Sequence, residues 1–207
     1  MTTAQMKKYI ADGGINERLT YIYGEAAVEA QKARYSAAID EFAAIYGADR
    51  EITLYSVAGR SELSGNHTDH NNGCVLAGAI DRDIIAIAAK REDNIIRFKS
   101  EGYPADEVSL MDTVDPDRFE KYTSSALIAG VANAFREHGL NIGGLDAYST
   151  SEVLKGSGIS SSAAYEVMIG NILNYLYNDG RVDNKDIAKF SQYAENAYFG
   201  KPCGLMD

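Results

Sequence analysis

The sequence is poor in cysteine, proline and tryptophan. Its 207 residues include two cysteines, three prolines and no tryptophan. Because Cys74 and Cys203 lie far apart in the chain, they suggest neither a disulfide framework nor a cysteine-based zinc site. This cysteine usage fits a reducing compartment.

Long apolar runs and clustered basic residues are also missing. No apolar segment approaches the roughly 20 residues that span a bilayer, and residues 1–8 lack the apolar stretch of a secretion signal. We therefore expect a cytoplasmic protein with no membrane partner. The chain has 20 basic and 30 acidic residues, for a formal net charge of −10, and its basic residues are dispersed. This argues against a nucleic-acid partner, so any bound phosphate is expected to be small and accompanied by a metal ion.

What is present is an ordinary globular composition, with 45% hydrophobic and 24% charged residues. Hydrophobic periodicity and glycine positions predict helices and strands in mixed order. This mixture favours an α+β fold in two layers, with a sheet packed on helices. The predicted helices are 24–46, 121–138, 163–176 and 183–199, and the predicted strands are 51–58, 82–90, 94–100 and 145–153, with 82–90 and 94–100 paired as a hairpin.

A glycine-serine loop at 154–164 runs directly into the third of these helices. Glycines let the backbone approach a ligand, and a helix N-terminus favours an anion, so the pattern indicates phosphate binding. It matches neither a Walker loop, nor a dinucleotide fingerprint, nor a hydrolase elbow. A simple helix cap after a glycine turn is the alternative. The candidate phosphate-binding residues are Gly156, Ser157, Gly158, Ser160, Ser161 and Ser162.

A second polar loop, 59–73, holds two histidines, one aspartate, one arginine and three asparagines. Such a loop offers donors and acceptors at several angles, which suits the hydroxyl groups of a sugar. The run His67-Thr68-Asp69-His70 is also compatible with a metal site, and a solvated loop is as good an explanation.

Considered together, three segments resemble the galactokinase family of the GHMP kinases. Loop 59–73 resembles its sugar-binding signature, loop 156–164 resembles its Gly-x-Gly-Leu-Ser-Ser-Ser-Ala-Ala motif, and 194–207 resembles the stretch ending Cys-Gly-x-Met-Asp-Gln. The resemblance implies the GHMP kinase N-terminal fold, of the ribosomal protein S5 domain 2-like type, over 51–207. It leaves 1–50 as an N-terminal helical extension. The family's C-terminal domain is absent, so the chain is expected to be a front portion without activity of its own.

The resemblance also implies a reaction, in which the anomeric hydroxyl of a sugar attacks the γ-phosphate of ATP in the presence of Mg²⁺. Galactose is the leading candidate sugar, and the oligomeric state is left open. The roles carried over are catalysis for Asp207 and Arg60, metal binding for Ser162 and Glu195, and substrate binding for Asn66, His67, Asp69, Cys203 and Gly204.

Four departures from the family pattern affect the sugar side. Asn66 replaces a glutamate, His70 replaces a tyrosine, Glu62 replaces an asparagine and Ser64 replaces an isoleucine. An amide at position 66 donates as well as accepts, which leaves the identity of the sugar open. Two alternatives therefore remain: a non-catalytic sensor that binds sugar and ATP, and a 1-kinase for a related sugar.

Overall fold

The computed structural model describes residues 1–153 and 160–206. This part of the chain forms a mixed five-stranded sheet with helices on both faces. No helix in it is long and apolar enough to cross a lipid bilayer. In chain order the elements are α1 (Thr3–Ala11), α2 (Asn16–Tyr23), α3 (Val28–Tyr46), β1 (Thr53–Ser64), β2 (Leu76–Lys90), β3 (Ile95–Ser100), β4 (Ala105–Ser109), α4 (Ser124–Glu137), β5 (Leu145–Ser151), α5 (Ser161–Tyr177) and α6 (Asn184–Tyr193), followed by a π-helical segment (Ala194–Phe199).

The strand order is β1-β2-β5-β3-β4, and every neighbouring pair is antiparallel except β3 and β5. The predicted hairpin of 82–90 with 94–100 is therefore wrong, because β5 lies between these two strands. The intervening residues bond to the start of β5 instead of closing a turn: Arg91 N donates to Gly144 O at 2.8 Å, and Gly144 N donates to Asp93 O at 3.0 Å. A Cβ on Gly144 would lie 2.2 Å from Asp93 O, so only glycine permits this approach.

Strand β1 is longer than predicted. We expect it to end at residue 58, yet it continues to Ser64 with register shifts between Ala58 and Arg60 and between Glu62 and Ser64. Irregular pairing of this kind bends a strand without ending it. Arg60 therefore lies on a strand that is held by hydrogen bonds, rather than in the loop.

Both faces of the sheet are buried. On β2, Ile84, Ala86 and Ala88 face a core shared with α4, α5 and α6, whereas Ile85, Ile87 and Ala89 face a second core beneath α1, α2 and α3. Burial on both faces explains why this strand is almost continuously apolar. The predicted central helix is confirmed as α5, in which Met168, Ile169, Ile172 and Leu173 are each at most 1% exposed.

Two buried aspartates join residues 1–50 to the sheet. Asp83 Oδ1 accepts from Arg34 Nη1 at 2.7 Å, and Asp146 Oδ2 accepts from Arg50 Nη1 at 2.9 Å. Each aspartate is 1% exposed. Buried charges persist in proteins where they are paired, so these contacts specify how the N-terminal helices lie on the second face.

Candidate functional site

The loop between β1 and β2 is shaped by an unusual backbone. Gly65, Asn66, His67 and Asn72 all have positive φ angles, of 123°, 52°, 54° and 61° respectively. Left-handed conformations cost energy for residues other than glycine and cluster at ligand-binding sites. The loop is closed by Gly73 N, which donates to Thr68 O at 2.9 Å.

Asp69 joins this loop to the end of the described chain. Its Oδ2 accepts from Met206 N at 3.0 Å, and its Oδ1 lies 3.4 Å from His67 Nδ1. The Met206 N–H bond is the main cause that lowers the pKa of Asp69 below its ordinary value. Gly204 lies so close that a Cβ there would be 1.8 Å from Asp69 Oδ2. Asp69 is therefore a fixed carboxylate with one oxygen directed at His67.

Arg60 completes the same group of residues. Its Nε donates to Met206 O at 3.1 Å, and its Nη2 lies 3.4 Å from His67 Nε2. Because Asp69 holds the N–H of Met206 and Arg60 holds its carbonyl, the backbone at 206 is fixed from both sides. The structure thus brings together three of the residues predicted from the sequence, Arg60, His67 and Asp69.

Asn66, another predicted residue, is placed differently. It is exposed at the start of the loop, two residues after the end of β1. Within residues 1–153 and 160–206, the side chain of Asn66 forms no hydrogen bond with another residue. It is adjacent to the group in sequence but is not part of its hydrogen-bond network.

Ser162 and Glu195 form the second group. Ser162, in the first turn of α5, donates from Oγ to Glu195 Oε1 at 2.9 Å, and Lys201 Nζ lies 3.2 Å from the same oxygen. Glu195 is 1% exposed, and its Oε2 is buried without a hydrogen-bond partner among the described residues. A buried carboxylate with an unsatisfied oxygen beside a hydroxyl is a donor set that Mg²⁺ accepts.

The π-helical segment explains the position of Glu195. A glutamate in the middle of a helix is usually solvated, but π-helical turns shift a side chain relative to the α-helical register and recur at functional sites. Gly130 of α4 allows the close packing, since a Cβ there would lie 2.7 Å from Ala194 Cα.

Residues 203–206 connect the two groups. Cys203 is held by Asn196, whose Oδ1 accepts from its N–H at 2.9 Å, and by Gln192, whose Nε2 donates to its carbonyl at 3.1 Å. Gly204 contacts Asp69 and also lines a small cavity of about 20 Å³ together with Glu195. The two groups therefore belong to one continuous region.

Several residues of the site were not predicted. Glu62 accepts from His67 N at 2.8 Å, and Lys201, Gln192 and Asn196 hold Glu195 or Cys203 in place. Asn196 and Lys201 lie inside the motif at 194–207, which is the only signal that could have indicated them. The predicted residues Gly156, Ser157, Gly158 and Asp207 lie outside the described residues, whereas Ser160 and Ser161 lie at the start of α5.

Two models of known protein families match the parts of the chain that contain the two groups of site residues. The family model "Galactokinase galactose-binding signature" matches residues 40–90, and the model "GHMP kinases N terminal domain" matches residues 126–207. The first range contains Arg60, His67 and Asp69, and the second contains Ser162 and Glu195.

Individual relatives agree with these models. The chain is 37% identical over 169 residues to a galactokinase of Streptomyces coelicolor, covering 81% of the chain and 43% of that protein. It is 34% identical over 168 residues to a galactokinase of Clostridium tetani, covering 81% of the chain and 42% of that protein. The chain thus spans less than half the length of these curated relatives.

Solved structures show the same fold. Galactokinase of Lactococcus lactis, complexed with galactose, matches 84% of the chain and 45% of its own length with a TM-score of 0.77 and 28% identity. Mevalonate kinase of Methanococcus jannaschii, at 15% identity, matches 75% of the chain and 50% of its own length with a TM-score of 0.60, which shows the fold alone. With both sequence models, these relatives and this fold in agreement, the chain belongs to the galactokinase family of the GHMP kinases, of which it matches the N-terminal region.

Proposed function

We propose that the complete protein containing these residues transfers the γ-phosphoryl group of ATP to the anomeric hydroxyl of galactose or a closely related sugar. The observation that carries the proposal is the link made by residues 203–206 between a polar group suited to sugar hydroxyls and a serine-carboxylate pair at a helix start. Phosphoryl transfer depends on positioning and charge neutralisation more than on covalent chemistry, and this arrangement offers both.

On the sugar side, the carboxylate of Asp69 accepts hydrogen bonds, and the imidazole of His67 can donate or accept. An aspartate is already ionised at neutral pH, and the Met206 N–H lowers the pKa of Asp69 further. Gly204 leaves space beside Asp69 that any side chain would fill. Arg60, held by the Met206 carbonyl, supplies a fixed positive charge where the transferring phosphoryl gains negative charge.

On the phosphate side, Ser162 and Glu195 would hold Mg²⁺, which neutralises charge on the phosphates of ATP. Ser160 and Ser161 lie at the N-terminus of α5, where unpaired N–H groups and the helix dipole favour an anion. Together with Gly156, Ser157 and Gly158, they are proposed to hold the phosphates.

Turnover is the direct test of this function. The complete protein, given MgATP and a panel of sugars, is expected to release ADP and form a sugar 1-phosphate with galactose or a close relative, detected by ³¹P NMR. Binding of galactose without ADP release from any sugar would contradict the proposal and favour a sensor. Because the chain spans less than half of its relatives, we propose that residues 1–207 alone have no turnover.

Asp207 is the residue to test first, because it follows Met206, whose backbone is bound by both Asp69 and Arg60. We propose that its carboxylate orients the attacking hydroxyl. Asp207→Ala in the complete protein is expected to lower kcat at least about a hundredfold while ATP binding stays nearly unchanged. Unchanged turnover would refute this role, and calorimetric titration with ATP measures the binding.

A further inference from the structure

Two histidines and one aspartate meet in the loop between β1 and β2. Each of His67, Asp69 and His70 offers one ligand atom, and these three atoms lie within 4.8 Å of one another. The rings of His67 and His70 are 6.2 Å apart between centroids. Two imidazoles and a carboxylate are a common ligand set for zinc, with water at the remaining position.

The loop prearranges these ligands. His67 has a positive φ angle, Gly73 N closes the loop on Thr68 O, and this backbone holds one ligand atom of each of the three residues within 4.8 Å of the others. The Asp69 side chain is 11% exposed, and Met206 N binds its Oδ2, while its Oδ1 is buried with no hydrogen bond among the described residues. That oxygen lies 3.4 Å from His67 Nδ1.

His70 is the residue that makes this loop different, because a tyrosine stands at this position in the family pattern that the loop resembles. We propose that His67, Asp69 and His70 form a binding site for a divalent transition-metal ion of the zinc type. Glu62, whose carboxylate accepts from His67 N, adds negative charge beside the backbone of His67.

Arg60 contacts the same cluster, and its contact with His67 competes with metal binding. Its Nη2 lies 3.4 Å from His67 Nε2. When His67 binds a metal through Nδ1, its ring proton must be on Nε2, which can then no longer accept a hydrogen bond from Arg60. Metal binding and this contact are therefore mutually exclusive, so a bound metal would release Arg60 from His67.

The consequence for the reaction depends on the proposed function. If His67 and Asp69 bind sugar hydroxyls, zinc and sugar compete for the same two side chains. Zinc would then inhibit by raising the KM for the sugar rather than by replacing magnesium at Glu195.

Metal binding is measured without substrates, on the wild-type protein, on His70→Tyr and on Cys74→Ser. His70→Tyr restores the residue of the family pattern, and Cys74→Ser removes an exposed thiol that could bind zinc by itself. Two readouts are used: visible absorption of added Co²⁺, and transfer of zinc from a chromogenic chelator.

The wild-type protein and Cys74→Ser are each expected to bind one equivalent of zinc, with equal affinity. His70→Tyr should bind zinc at least about tenfold more weakly. Mutation of a residue that only supports a metal ligand already lowers metal affinity by about this factor, and removal of the ligand itself should cost at least as much. Equal zinc affinity in His70→Tyr and wild type, or loss of binding in Cys74→Ser, would overturn the site. Zinc binding that galactose does not weaken would support the site and contradict the assigned sugar contacts.

Discussion

The carboxylate of Glu195 is almost fully removed from water, and this shows how a single residue depends on its neighbours. Its Oε1 is bound by the Ser162 hydroxyl and the Lys201 ammonium, whereas its Oε2 has no hydrogen-bond partner among residues 1–153 and 160–206. A buried charge without full compensation is unfavourable. Lys201 therefore acts as a resident cation at a position that we propose for magnesium.

Replacement of Lys201 by methionine tests this role. Without Mg²⁺, Lys201→Met is expected to lower the free energy of unfolding by about 1–3 kcal/mol, because Glu195 loses its charged partner. Added Mg²⁺ should restore most of that loss. Urea unfolding with EDTA and with Mg²⁺ measures both effects.

Lys189→Met is the matched control, since Lys189 pairs with Asp186 on the surface at 2.9 Å. Exposed pairs contribute little, so its effect should be near zero in both conditions. Equal effects of the two substitutions would show that Lys201 does not compensate Glu195.

Asp69 gives a prediction about pH. Its pKa is lowered in the folded protein, chiefly by the Met206 N–H, so the folded state binds its proton less readily than the unfolded state does. The resulting stabilisation is complete above the ordinary aspartate pKa of about 3.9 and is lost as the pH falls through the folded value.

Asp69→Asn should therefore be less stable than the wild type at pH 6 and should approach it below about pH 4. The urea midpoints of both proteins between pH 3 and pH 7 measure this difference. A difference that stays constant over the whole range would contradict the assigned cause. The asparagine keeps an oxygen that can accept from Met206 N, so the comparison isolates the charge.

At the scale of elements, the close contact between α4 and the π-helical segment positions Glu195. Gly130→Ala would place a methyl group 2.7 Å from Ala194 Cα. Although alanine favours a helix over glycine, overpacking against backbone should dominate and lower stability by about 1–3 kcal/mol. The displaced segment should also raise the Mg²⁺ concentration needed for half-maximal activity of the complete protein.

Gly78→Ala on β2 serves as the control, because a Cβ there meets nothing within 4 Å. We expect its stability and magnesium requirement to stay close to those of the wild type. If Gly130→Ala behaves in the same way, α4 does not position the π-helical segment. Thermal unfolding and magnesium titrations measure the two properties.

Elements were predictable where the signal is local. The helix predicted at 24–46 is confirmed as α3, which ends before Gly47 as expected but begins at Val28, after a 3₁₀ turn at Glu25–Ala27. The apolar helix after the serines is confirmed as α5. The predicted hairpin is wrong, although the four residues between β2 and β3 have the composition of a turn. Their hydrogen-bond partner is Gly144, which lies about 50 residues further along the chain. Strand β4 has no distinctive pattern and was missed.

At the scale of the whole molecule, the N-terminal helices complete the second core. They cover Ile85, Ile87 and Tyr148, and Arg34 neutralises the buried Asp83. We therefore expect residues 1–50 to be needed for folding, although the matched family model begins only at residue 40.

Arg34→Leu tests this dependence more cleanly than a deletion. It leaves Asp83 buried without its cation, which should cost about 3–5 kcal/mol. Arg181→Leu, at an exposed pair with Asp179, should change little. Urea unfolding measures the stability of both variants. The double variant Arg34→Leu with Asp83→Asn should recover part of the lost stability. A small effect of Arg34→Leu alone would show that this pair does not hold the N-terminal helices on the sheet.

The sequence by itself determined which residue types occur in each motif, since short segments such as His67-Thr68-Asp69 and the serines before α5 carry their chemistry locally. Only the tertiary structure decided that Arg60, His67 and Asp69 meet at the Met206 backbone and that Glu195 is buried against Ser162. The physical reason is that these contacts join residues 33 to 146 positions apart. Such contacts depend on strand pairing, a π-helical turn and helix packing, none of which a local pattern encodes.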